Sequence, residues 1–399
     1  MTDPAPAGVL AGIRVLDFGR YVAGPYCAAL LADLGAEVIR VEKVDGSEDR
    51  YVVPVAEGGE GAYFFQCNRN KLGLTLEPTT DEGRAIVRRL VATADVVVAN
   101  LPEQTLVAMG LDYPSLRAVK PDVVLVTASA FGTGGPYQHR VGFDGVGQAM
   151  SGIMYLTGPP GQPTKTYVPF IDYNTAALSA FGTLAALMAR RETGRGQQVD
   201  TSLLATALTI GNAVLIEQDQ TQRNRTSSHN RSQISGPADA FRTRDGWIFA
   251  QAVGDPLFRR WARLMGEEAW LDDPRFASDQ TRGDHGEVLS ARMAQWCGER
   301  TTEEALADLD RARIPAAPVY SPQEALDDPH VRAMRFLEPV AFPGLARPAL
   351  VAGTPVRLSE TPGAVRHRAP TLGEHTDAIL AELGYGPEEI AELRAKRVV

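Results

Sequence analysis

The chain has 399 residues, 40 of them basic and 49 acidic, for a formal net charge of −9. Hydrophobic residues make up 44% and charged ones 22%, the proportions of an ordinary globular protein long enough for two or three domains. The acidic balance argues against a nucleic-acid or anionic-membrane partner, and no stretch reaches the ~20 apolar residues of a membrane span.

Elements alternate from the start. Ile13–Phe18 (IRVLDF) predicts a strand, Gly24–Gly35 an Ala/Leu-rich helix stopped by glycine, and Ala36–Glu42 a second strand. A helix near Thr80–Ala94, a strand at Asp95–Asn100, a helix near Pro114–Val119 and a strand at Val123–Ala128 continue the pattern. Strands separated by helix-length crossovers predict a parallel sheet covered on both faces, an α/β, Rossmann-like arrangement. The turn after the first strand reads GRYVAGP rather than GxGxxG, and GxxxxGK[ST] is absent. Neither a dinucleotide cofactor nor a P-loop nucleotide is therefore expected.

Gly132–Asp172 is rich in Gly, Pro and Thr, the composition of loops that carry sites. Asn174–Arg191 is apolar nearly all round and predicts a deeply buried helix ending at Gly194, with a second buried helix from about Thr201 to Ile216. Polar Gln218–Asn230 reads as a linker. A strand at Gly246–Ala252, a helix over Pro256–Met265 and charged helices near His285–Cys297 and Thr302–Arg313 predict a smaller α/β unit. Two helices close the tail, Pro355–Val399. Cys27, Cys67 and Cys297 lie far apart without a CxxC, and the six histidines form no ligand pair, so reduced thiols and no metal site are expected. The opening segment has Asp3 and prolines where an export signal carries positive charge, which points to the cytoplasm.

Asp172, in PFIDYNTAAL, stands immediately before the first buried helix. It suits an N-cap, although Asn174 suits that role equally, or a functional carboxylate. In that place free N–H donors and the helix dipole would keep it ionised, and the same donors could hold an oxyanion. Asp144 beside Gly145 reads as a turn residue, and Arg140 as its partner or a phosphate ligand. Arg20 and Lys43 follow strand ends, where α/β sheets bind ligands, and Asn100 ends a strand as a cap or a ligand contact.

Six segments in order, among them VAGPYCAALLADLGAEVIRVEK, PYQHRVGFD, ALMARRETGRGQQVDTSLL and RAPTLGEHTDAILAELG, resemble the class III (family III) CoA transferases. That family also includes formyl-CoA transferase, carnitine CoA-transferase and α-methylacyl-CoA racemase. The resemblance spans essentially the whole chain. It implies a Rossmann-like large domain built from both chain ends (1–217 and 336–399 with a linker), a linker at 218–230, an inserted small domain at 231–335, and an interlocked homodimer. It implies a nucleophilic aspartate at Asp172 and contacts to coenzyme A, as substrate rather than as a permanently bound cofactor. Those contacts fall at Arg20, Val22, Ala23, Lys43, Leu76 to Thr79, Asn100, Leu101, Pro102 and Arg140. Two departures stand out. Ala108 occupies a position where a transferase relative has a CoA-binding arginine, and Phe143 occupies that of the racemase histidine. The glycine run of the formyl-CoA branch is also missing from SGPADAFRTRDGW. The expected activity is CoA transfer between an acyl-CoA and a free carboxylic acid; the alternatives are a racemase of CoA esters or a non-catalytic CoA-ester binder. Arg231 and Arg242 could meet a second carboxylate of a dicarboxylic substrate or serve only at the surface.

Overall fold

The computed structural model describes residues 8–399, so the opening segment with Asp3 lies outside the described residues. The chain divides into two compact units. One gathers the chain up to Ser151, Thr166–Ala213 and Arg332–Val399; the other gathers Gly152–Lys165 and Val214–Val331.

The first unit is built on six parallel strands. In chain order its elements are β1 (Arg14–Asp17), α1 (Ala23–Asp33), β2 (Glu37–Glu42), α2 (Ala62–Asn68), β3 (Lys71–Thr75), α3 (Asp81–Thr93), β4 (Val96–Ala99), α4 (Glu103–Met109), α5 (Tyr113–Val119), β5 (Val124–Ser129) and α6 (Asp144–Met150). After a short helix α7 (Ile153–Leu156) in the second unit come α8 (Phe170–Thr193), β6 (Gln198–Ser202) and α9 (Leu203–Thr221), the last running from the first unit into the second. The sheet order is β3-β2-β1-β4-β5-β6, all pairs parallel. The strand order reverses between β1 and β4, and the carboxyl ends on either side of that reversal are where open α/β sheets bind ligands.

Strand alternation builds two cores from adjacent residues. Leu16, Ile39, Leu74, Val97 and Leu125 face one way, onto Ile86 and Leu90 of α3 and Leu116 of α5. Val15, Val38, Val96 and Val124 face the other way, onto Cys27 and Leu31 of α1 and Ala176 and Ala180 of α8. Small residues on α1 and α8 let the two helices lie close on the sheet.

Two strands of the six-stranded sheet escape the sequence reading, as do the strands Ala238–Arg242, Ala316–Pro318, Leu337–Val340 and Ala349–Ala352 outside it. β3 (KLGLT) begins with a lysine that is fully buried; Lys71 Nζ lies 2.7 Å from Asp17 Oδ2 and donates to Asn68 Oδ1 and Pro25 O. Burial pushes the Asp17 carboxyl up, yet the charges of Lys71 and Arg40 together hold it below the usual carboxylate range. β6 (QVDTS) is a half-exposed edge strand with no apolar run. The two long helices also differ from expectation. α8 starts at Phe170, four residues before Asn174, and is not buried all round: Phe181 and Met188 are 71% and 67% exposed. On α9 only Leu203, Thr206 and Ala207 are buried.

The second unit holds a three-stranded antiparallel sheet of β7 (Ala238–Arg242), β8 (Trp247–Gln251) and β9 (Ala316–Pro318), with α10 (Asp255–Met265), α11 (Asp279–Asp284), α12 (Gly286–Gly298) and α13 (Thr302–Arg311). Phe258, Trp261, Ala262 and Met265 form the buried stripe of α10, at the spacing of one helix face. They join Phe276 and Met293 in one core. Short helices α14 (Pro322–Asp327) and α15 (Pro329–Ala333) follow. A hairpin of β10 (Leu337–Val340) and β11 (Ala349–Ala352) and helices α16 (Thr376–Glu382) and α17 (Pro387–Ala395) complete the first unit. Leu380 and Leu393 seal the α3 side of the sheet. Among the described residues no helix is long and apolar enough to cross a membrane, and no group of three His, Cys, Asp or Glu side chains gathers to hold a metal.

Candidate active site

The loops after β1, β2, β3 and β4 carry most of the CoA-contact candidates. Asp17, ending β1, turns the chain by accepting the Gly19 N–H at 2.8 Å, and the Arg40 guanidinium of β2 donates to the Gly19 carbonyl. The next residue is fixed from across the sheet reversal. Arg20 N–H donates to Asn100 Oδ1 at 2.6 Å, and Asn100 Nδ2 donates back to Arg20 O at 2.9 Å. Gly24 is needed here, since a Cβ would stand 2.8 Å from Asn100 Oδ1. The first loop is thus held rigidly at the point where the fold binds ligands.

The candidate side chains divide by exposure. Arg20 folds its guanidinium onto the carbonyls of Phe18, Gly19 and Val41; burial, then the charge of Arg40, weakens its hold on the proton. Val22 and Ala23 are buried where α1 begins, and Leu76 lies in the core beneath the sheet. Only the backbone of these three can face a ligand. Lys43 is half-exposed and paired with Glu48 Oε1, and Thr79 N–H donates to Glu77 Oε1 at 3.3 Å. Leu101 packs on the core and Pro102 precedes α4, which carries the exposed Ala108. Arg140 stacks over the Tyr137 ring at 4.0 Å instead of pairing with Asp144. In the second unit, Arg231 reaches Glu287 at 3.2 Å and Arg242 lies over Trp247 at 6.0 Å, so both have local partners.

Asp172 is the third residue of α8, inside the first turn rather than before it. The amides expected to serve Asp172 are taken by Asp144, whose Oδ1 accepts from Ile171 N–H at 2.7 Å and Asp172 N–H at 3.2 Å. Asp144 is therefore not a local turn residue. It caps a helix 27 residues further along, and its own orientation is fixed by Gln148 Nε2. Gln148 in turn donates to Thr166 Oγ1 and accepts from Thr166 N–H, both at 3.0 Å, tying α6 to the approach to α8.

The consequence for Asp172 runs opposite to the sequence expectation. The donors that would have favoured its ionised form are occupied, the residue is 9% exposed, and burial followed by the negative charge of Asp144 pushes its carboxyl up to about 7. A poorly solvated, unpartnered carboxylate is a better nucleophile than a hydrogen-bonded one, and it lies within reach of solvent. Tyr63 on α2 is within its electrostatic range: burial, then Cys67, Tyr167, Asp144 and Asp172, push the Tyr63 phenol up. Next to Asp172, Tyr173 turns inward and meets the Tyr26 ring edge-on at 4.7 Å, which pins the first turn of α8 to α1. Sequence spacing carries no signal for the Asp144–Asp172 contact or for Tyr63, because tertiary packing alone brings them together.

The profile of the CoA-transferase family III matches residues 10–376. The chain belongs to CoA-transferase family III. This family III CoA transferase moves CoA between an acyl-CoA and a free carboxylic acid. It is 36% identical over its whole length to succinyl-CoA–D-citramalate CoA-transferase of Chloroflexus aurantiacus, covering all of that protein. It is 35% identical to succinate–glutarate CoA-transferase of Agrobacterium fabrum over 96% of the chain and 98% of the relative. Its fold superposes on a CaiB/BaiF family protein from Brucella suis with a TM-score of 0.83 at 32% identity, over 95% of this chain and all of the other. In the transferase, the racemase-type proton carrier has no counterpart at Phe143, whose ring is 63% exposed and cannot transfer a proton.

Proposed function

We propose that the transferase works by covalent catalysis at Asp172, with succinyl-CoA as donor and a dicarboxylic acid as acceptor. The observation that carries the catalytic assignment is the state of Asp172, which is desolvated, placed at a helix start and acted on only by burial and Asp144. The donor follows from the relatives, which are named for succinyl-CoA or succinate and for citramalate or glutarate.

The Asp172 carboxylate attacks the thioester carbonyl, forming an acyl–aspartyl anhydride and releasing CoA thiolate. The thiolate attacks the Asp172 carbonyl; the first acid leaves with the bridging oxygen, and an aspartyl–CoA thioester remains. The acceptor carboxylate attacks that thioester, regenerating thiolate and a second anhydride. Thiolate then attacks the acceptor's carbonyl, giving the new acyl-CoA and returning Asp172 as carboxylate. CoA is held meanwhile by Arg20, Val22, Ala23, Lys43, Leu76, Thr79, Asn100, Leu101, Pro102 and Arg140, the charged members meeting its phosphates. The grouping of all of them but Arg140 in loops at the carboxyl ends of β1 to β4 supports this reading.

The protein works as a cytoplasmic homodimer with interlocked chains and no permanently bound cofactor. Its large domain comes from residues 1–217 and 336–399, and its small domain from 231–335, with a linker at 218–230 between them. The exposed apolar row of Leu178, Phe181 and Met188 on α8 supports a second copy as partner. Succinyl-CoA offered to a panel of mono- and dicarboxylic acids, read by mass spectrometry, tests the substrate class. Transfer confined to dicarboxylates is expected, and transfer only to monocarboxylates would reject it. Asp172→Ala should abolish exchange with every acid; retained exchange would reject the nucleophile.

A further inference from the structure

Tyr21 adopts a φ of 60°, a left-handed conformation that glycine accepts freely and a bulky side chain keeps only when its surroundings compensate. The double hydrogen bond between Arg20 and Asn100 explains how the backbone is held. It does not explain why a tyrosine stands there, since the residue is 39% exposed and belongs to no core. What the ring meets is Phe143. The two rings lie edge to face with centroids 5.4 Å apart and planes at 82°.

Phe143 precedes Asp144, whose carboxylate accepts the amides of Ile171 and Asp172. One ring contact therefore joins the strained loop carrying Arg20, Val22 and Ala23 to the segment that sets the orientation of Asp172. Both rings remain substantially exposed, so the contact is not a by-product of filling the interior.

We propose that Tyr21 is a positioning residue that, through Phe143, couples the CoA-holding loop to the Asp144–Asp172 pair and keeps water from the covalent intermediates. The proposal rests on the covalent reading of Asp172. Those intermediates have two fates. An acid carboxylate carries the exchange forward, whereas water adds across the anhydride to give Asp172 and the free acid, or across the thioester to give Asp172 and CoA thiol. Loss of the ring contact lets the segment carrying Phe143 and Asp144, and Asp172 with it, shift relative to the rigidly held first loop, and water gains on the acid.

The test is the ratio of acyl-CoA hydrolysis to CoA transfer in native protein, Tyr21→Ala, Phe143→Ala, the double variant and Tyr21→Phe, with circular dichroism checking that each is folded. Each alanine variant should raise the ratio about threefold to tenfold, the scale set by an edge-to-face ring pair. The double variant should raise it no further than either single change, because both remove one contact, and Tyr21→Phe should restore the native ratio. An unchanged ratio in folded Tyr21→Ala, or fully additive effects, overturns the proposal. Hydroxylamine trapping during turnover separates the two layers. An Asp172 adduct with an unchanged ratio rejects Tyr21 alone, whereas no Asp172 adduct in native protein rejects the covalent reading and the proposal with it.

Discussion

Replacing Asp172 by asparagine should make the protein more stable while removing its activity. Folding moves this carboxyl from the ordinary 3.8 to about 7, through burial and then the charge of Asp144. At about 1.4 kcal/mol per pH unit, that interval sets a ceiling of about 4 kcal/mol on the cost of keeping Asp172 ionised in the fold. The sign follows from the order of the two titrations. Below about 4 both states are protonated and the cost is absent. Between about 4 and 7 the unfolded chain ionises first, so stability falls as pH rises; above about 7 the full cost remains. The asparagine side chain carries no charge, so the Asp172→Asn variant should match native protein below about pH 4 and exceed it by about 2–4 kcal/mol above about pH 8. Urea denaturation across that range measures the difference. All four tryptophans (Trp247, Trp261, Trp270 and Trp296) lie in the second unit, so far-UV circular dichroism rather than tryptophan fluorescence must follow the first. A variant that is no more stable at high pH, or a gap that does not change with pH, would refute the argument.

Two further outcomes follow from the same structure. Because only ionised Asp172 attacks, kcat/KM for acyl-CoA should rise with pH through about 7; Asp144→Asn should move the inflection downward without returning it to the ordinary carboxylate value, since burial is the larger cause, and initial rates across pH check both. Arg69→Met should lower stability by about 3–5 kcal/mol, because it leaves Asp33 buried without its 2.7 Å ion-pair partner; thermal unfolding measures the loss, and a double variant with Asp33→Leu should recover part of it.

The sheet was legible where burial dictates composition. Strand β4 reads VVVA because all four residues are buried on both faces, and such a run between helical patterns has few other interpretations. β3 was not, because its first residue is a lysine whose burial depends on Asp17, 54 positions away. β6 was hidden by being half-exposed. The long helices misled in a different way: an apolar circumference signals a covered helix, yet Phe181 and Met188 on α8 are left largely exposed by this chain. In the site, Asp172 and the loop residues after the strands stood out by position. The inverted electrostatics of Asp172 did not, because they come first from burial and then from Asp144, which takes the amides of Ile171 and Asp172, and no local spacing encodes either.

The central claim, that Asp172 forms and breaks an anhydride with the substrate acids, is tested most directly by following oxygen. The enzyme is turned over with an acceptor acid carrying heavy oxygen in its carboxylate, digested, and the peptide containing Asp172 is weighed. The mechanism delivers one heavy oxygen to Asp172 in each complete exchange with labelled acid, so the Asp172 peptide must carry at least one after the first exchange. Productive turnover that leaves the Asp172 peptide unlabelled would contradict it.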